Sequence, residues 1–199
     1  MYGSRDQHYY HSGSNKGKKL VVDKTGGIVS PLNVNSPSLY LQSFELKNGH
    51  FISSGPSGEF SIGGNFTANN TEFFTIRAGT TFDPNGGIVR FRPNVNYNRI
   101  ASIRHNGATF HDVIVDVRPN HGNIPRFETK DGNLVVGNYL THSNGEIISN
   151  IDLYGNFYVG PNADKSNGWV RFIGTNDQYY GLTGAAANSC AVSVSYTHL

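Results

Sequence analysis

The chain has 199 residues, 37% hydrophobic and 15% charged, with a formal net charge of +2. That apolar share is low for one large self-contained core, and charge spread so thinly excludes the basic patch on which nucleic-acid binding rests. A single cysteine, Cys190, excludes an internal disulfide and a thiolate zinc site, and no apolar run is long enough to insert in a membrane.

Residues 1–19 are polar and rich in Gly, Ser, His and Tyr, which predicts a flexible N-terminal segment; its Lys16, Lys18 and Lys19 read as a solvated cluster. No signal-peptide core follows Met1, so a product made and kept in the cytoplasm before assembly is expected. From Leu20 to Ala185 short apolar bursts alternate with turn residues. Leu39–Leu41 precedes Asn48 and Gly49, Phe73–Ile76 precedes Asp83 to Gly87, and Val113–Val117 precedes Pro119 to Gly122. Bursts bounded by Asn-Gly and Gly-Gly are hairpin and meander signals, and Gly, Pro or a β-branched residue breaks every candidate helix. The fold class expected is therefore all-β with essentially no helix. Residues 186–199 form a C-terminal tail, whose end, Val194 to Leu199, resembles a translated sequencing adapter and is expected to be artefactual, the chain then being a fragment.

A degenerate repeat runs through the β region. Gly64-Asn65-Phe66, Gly132-Asn133-Leu134 and Gly155-Asn156-Phe157 share one order, and Pro84-Asn85 through Val89-Arg90-Phe91 is echoed by Pro161-Asn162 through Val170-Arg171-Phe172. The spacing is uneven, unlike a strict solenoid. Each unit carries too little apolar surface to close its own core, so neighbours or other chains must cover it. The expectation is an elongated, fibrous, intertwined homotrimer whose identical strands share an interior.

Asp23 to Val34, with Gly26-Gly27, Val29, Pro31-Leu32 and Val34, resembles an element that recurs in bacteriophage tail-fibre proteins, with Ser30 where Gly is usual. Tyr10 to Lys16 is similar to the segment preceding such elements, and Asp131-Gly132-Asn133-Leu134 to long-fibre turns. The resemblance implies a virion component for host attachment. Its implied partners are its own copies, other tail-fibre proteins, and a host surface glycan or outer-membrane protein.

Candidate chemistry is sparse. Asp112 and Asp116, four apart, would share one side of a strand, the geometry of a glycosidase pair, but they flank and interrupt an apolar run and read as an exposed strand face. No histidine stands at ligand spacing, Ser54-Gly55-Pro56-Ser57-Gly58 lacks a strand-to-helix elbow, and the Gly-rich stretches lack a phosphate-loop ending. No enzyme activity, catalytic residue, metal or cofactor is expected. Trp169, Asn176, Asp177, Tyr179 and Tyr180 mix aromatic and polar groups suited to a sugar ring, and are the candidate receptor contacts. Two alternatives differ in class. A tailspike-type polysaccharide depolymerase would show a regular coil-length repeat with stacked apolar residues, and a free carbohydrate-binding β-sandwich would carry more apolar material.

Overall fold

The computed structural model describes residues 1–9, 17–31, 38–95, 99–119, 124–164, 166–182 and 192–193. Tyr10 to Lys16 and Cys190 lie outside them, as do Leu32 to Val34 and all of the 186–199 tail except Val192 and Ser193. Nineteen strands and no helix occur among the described residues. They are β1 (Gln7–Tyr9), β2 (Gly17–Pro31), β3 (Leu39–Ile52), β4 (Glu59–Ile62), β5 (Asn65–Phe66), β6 (Thr71–Ile76), β7 (Thr81–Asp83), β8 (Ile88–Phe91), β9 (Asn94–Val95) and β10 (Ile100–Arg104). There follow β11 (Thr109–Asp116), β12 (Arg118–Pro119), β13 (Arg126–Thr129), β14 (Leu134–Ile147), β15 (Ile151–Leu153), β16 (Asn156–Ala163), β17 (Val170–Phe172), β18 (Tyr180–Leu182) and β19 (Val192–Ser193).

Every pairing among these strands is parallel. Eight of them, in the order β3, β4, β8, β11, β14, β13, β10, β6, close a parallel barrel, which the remaining strands extend. The ring closes because β3 and β14 are long and bent. Over its length β3 pairs β4 through Leu39–Leu41, β6 through Phe44–Leu46 and β7 through His50–Ile52. The path through the barrel is a coil of stacked circuits. Leu134 pairs with Ile151 and His50 with Thr81, so one circuit takes from 17 to 31 residues. Three columns of strands result, one led by β4, β8, β11, β14, β16 and β18, a second by β6, β10 and β13, and a third by β7, β15 and β17. A small sheet of β5, β9 and β12 lines one corner.

Parallel stacking puts like side chains over one another, and the inward positions make a continuous aromatic interior. Phe60, Val89, Val113, Leu140 and Phe157 form one buried row. Phe44 lies 5.3 Å from Phe74 and 4.8 Å from Phe51, and Phe91 contacts Phe74, Phe110 and Phe127 at 5.3–5.8 Å between ring centres. A single chain thus encloses its own core. This overturns the elongated, intertwined homotrimer: the 37% apolar content suffices because it is concentrated on inward positions, and the wall facing solvent needs little.

The hairpin expectation is also corrected. Asn85-Gly86 and Asn106-Gly107 take positive φ in pairs (52° and 69°, 48° and 75°), the backbone of a tight hairpin turn. Gly87 N donates to Pro84 O and Ala108 N to His105 O, closing each turn. Yet β7 pairs with β3 while β8 pairs with β4 and β11, so the first turn rounds a corner between columns. The glycines of these bends differ in role. A Cβ on Gly155 would sit 1.8 Å from Asn138 O and one on Gly168 1.9 Å from Ser149 O, so these two mark places where one circuit's backbone presses on the next, whereas Gly132 has open space beside it and a φ of 118°.

Within the segment expected to be flexible, β1 pairs with β2, Gln7 opposite Val29, and Tyr9 is buried. The Asp23–Pro31 stretch of β2 receives it. Gly27 has φ of 70° and no room for a side chain against Ser4 and Arg5, Ile28 N donates to Asp6 Oδ1, and the buried Lys24 Nζ donates to Arg5 O.

Outside, charges pair between adjacent circuits. Glu45 takes Lys19 at 2.8 Å and Arg77 at 2.9 Å, Arg126 meets Glu146 and Arg171 meets Asp152, each at 2.8 Å. The Lys19 hydrogen bond foremost, with Arg77, outweighs desolvation and holds the Glu45 carboxyl below the usual range. In each pair the cation is exposed and the carboxylate largely covered; with one partner in solvent a pair contributes on the order of 1 kcal/mol and chiefly favours correct register.

Two predictions follow from the core. Phe74→Ala removes a ring packed against five others and is expected to cost about 3–5 kcal/mol in denaturant unfolding. His142 faces inward between Val115 and Val159, its Nε2 donating to Gly145 O at 2.6 Å while Nδ1 has no partner among the described residues. Burial pushes its pKa down to about 4 from 6.5, against the opposing Gly145 bond. As pH falls through this interval the unfolded chain binds the proton first. Stability present above about pH 6.5 should decline by about 3 kcal/mol toward pH 4. His142→Gln should flatten that decline; an unchanged slope would refute the assignment.

Candidate functional site

The column containing β8, β11, β14 and β16 has an outer face as ordered as its inner one. Register places Ile88, Asp112, Tyr139 and Asn156 side by side, and in a second row Arg90, Ile114, Thr141 and Tyr158. Alternation along each strand sends both rows outward, because Val89, Val113, Leu140 and Phe157 between them are buried. Ile88, Asp112, Ile114, Tyr139, Thr141 and Tyr158 line a shallow groove of about 350 Å³.

Its floor is aliphatic and its side aromatic. The Tyr139 and Tyr158 rings are 5.9 Å apart and inclined at 38°, with Tyr139 40% exposed. Tyr158 lies over Gly181, where a Cβ would be 3.2 Å from its ring. Two rigid rings with phenol tips beside an apolar floor can stack against a sugar ring and hydrogen-bond its hydroxyls.

Asp112 is the groove's carboxylate. Its Oδ1 accepts from Asn138 Nδ2 at 2.8 Å and from the Tyr139 backbone N at 3.0 Å, and His111 Nδ1 stands 3.4 Å away. These donors fix the orientation of the carboxylate, an acceptor of hydrogen bonds. Asp116 is placed differently from the expected exposed strand face. A shift in register falls between Val115 and Asp116, and the carboxylate is 1% exposed beneath arginines. Arg118 grips it through Nε and Nη2, both at 2.9 Å; Asn144 Nδ2 donates at 2.5 Å; Arg92 Nε and Arg90 Nη1 stand at 3.5 and 3.6 Å. Arg90 also meets Glu59 at 3.0 Å. Asp112 is a groove group and Asp116 an anchor for guanidiniums.

The sequence-derived contacts fall on two columns. Trp169 immediately precedes β17 and is half-buried, with the Arg171 guanidinium 5.2 Å over its ring. Tyr179 and Tyr180 belong to the groove's column, 64% and 44% exposed, the Tyr179 N donating to Asn156 Oδ1 and the Tyr180 ring 5.6 Å from Phe157. Tyr179 therefore continues the row of Tyr139 and Asn156. Asn176 and Asp177 are exposed on the turn before it. Tyr139 and Tyr158 escaped sequence reasoning because they are 19 residues apart and meet only through the β14–β16 register, Tyr139 directly after Gly137-Asn138 and Tyr158 one place further on after Gly155-Asn156.

Among the described residues no three His, Cys, Asp or Glu side chains gather to hold a metal ion, and no helix is long and apolar enough to cross a membrane. Compared with known proteins, the chain matches no family model, no curated protein and no solved structure.

Proposed function

We propose that the chain is an adhesive, non-catalytic module of a structural attachment protein of the tail-fibre kind, holding a cell-surface glycan in the Tyr139–Tyr158 groove. The observation that carries this reading is the pairing of two outward tyrosine rings over an aliphatic floor, with Asp112 as acceptor beside them. The groove crosses parallel strands, and the row of Tyr139 runs on through Asn156 to Tyr179, which offers an extended glycan polar and aromatic groups beyond the groove itself. The resemblance of Asp23 to Val34 to an element of tail-fibre proteins supports a setting on a virion that reaches its host through such a surface. Catalysis is disfavoured by the carboxylates: glycoside cleavage needs two acting across one bond, and Asp116 is buried under arginines.

A depolymerase of the tailspike type is the second reading, favoured by the stacked parallel coils, whose unequal lengths hid them in the sequence. Its test is direct: host polysaccharide shortened by the wild type and left whole by Asp112→Asn would put catalysis first.

For the adhesive reading, titration calorimetry against oligosaccharides from bacterial surface polymers should reveal a binder. Tyr139→Ala and Tyr158→Ala should each weaken it about tenfold, as loss of one stacking ring implies. Both side chains project outward, so the melting temperature should hold. Unaltered affinity in both variants, or no binder among the oligosaccharides, would refute the proposal.

A further inference from the structure

The arginines around Asp116 outnumber the acids they meet. Arg90, Arg92 and Arg118 contact Asp116, and Glu59 meets Arg90, which sets three guanidiniums against two carboxylates. The acids are the covered members: the Asp116 side chain is 1% exposed and that of Glu59 18%, while Arg92 and Arg118 are 34% and 44% exposed. The surplus positive charge therefore faces solvent. The cluster reaches the groove through Arg90, which pairs in register with Ile114 of its floor and stands two residues beyond Ile88 on the same strand face, with Arg92 two residues further along the chain. Asp112 lies in the other outer row, opposite Ile88, which Glu59 flanks from the other side.

We infer that the groove is selective for carboxylated glycans, polymers containing uronic acid, whose carboxylate is taken by Arg92 and Arg118 while the sugar ring rests on Tyr139 and Tyr158. The inference rests on the glycan reading above and names its substrate class. The physical reasons are geometric and electrostatic. A guanidinium donates two parallel hydrogen bonds to a carboxylate, and Asp116 fixes the Arg118 fork from beneath. Asp112 in the other row would repel an acid group and accept a hydroxyl, so the ligand would bind in one direction only.

The test uses the whole chain with a panel of oligouronates and their methyl esters, which keep ring and hydroxyls and lose the charge. The acids should bind about tenfold more tightly than the esters, and the gap should narrow in about 0.5 M salt. Arg92→Gln should erase the preference and Arg92→Lys should retain much of it; Arg92 is not the residue that grips Asp116 most closely, so the fold should persist, as melting would verify. Equal affinity for acid and ester overturns acid selectivity and leaves the glycan reading standing. Failure of every acid and ester to bind overturns both.

Discussion

Parallel hydrogen bonding between successive circuits is the constraint on which the rest depends. A strand in this arrangement cannot satisfy its backbone with the segment that follows it; its partners lie a whole circuit before and after. The chain must therefore complete a turn before any pairing is made, and each turn must present apolar side chains at the same angular positions as the last. The rows Phe60 to Phe157 and Phe44, Phe74, Ile103 are the outcome. The glycines at 155 and 168 serve that requirement, giving one circuit's carbonyls room against the next.

The groove follows from the same rule applied to the outward positions. Register that stacks Leu140 on Phe157 also sets Tyr139 beside Asn156 and Thr141 beside Tyr158. A surface built this way is ruled in two directions, along the strands and across them, so aromatic, acidic and cationic groups can occupy fixed lanes. Asp116 shows how such a lane is secured: a buried carboxylate holds Arg118 in one orientation and draws Arg92 and Arg90 toward it.

All-β character was legible in the sequence, because the bursts of Val, Ile, Leu and Phe between Gly and Asn have no helical period. The direction of pairing was not. Asn85-Gly86 adopts the backbone of a hairpin turn and still joins strands of different columns, so local turn chemistry is silent on what pairs across it. The self-contained core was misjudged because composition counts apolar residues without regard to facing. Phe91 and Tyr139 weigh alike in an average, though one fills the interior and the other stands on the outer wall. Of the site, Tyr179 was legible as an exposed aromatic among polar residues, whereas Tyr139 and Tyr158 become neighbours only when a 17-residue circuit is laid down.

The unequal circuits have a consequence for how such a wall can vary. Since a turn of 17 residues and one of 31 enclose the same stacked interior, the excess length has nowhere to go but the corners between columns. Sequence can thus be inserted or deleted at those bends while the lanes of the flat faces keep their alignment. A molecule of this shape is free to remodel its rims without disturbing the ledger of side chains it shows to a partner.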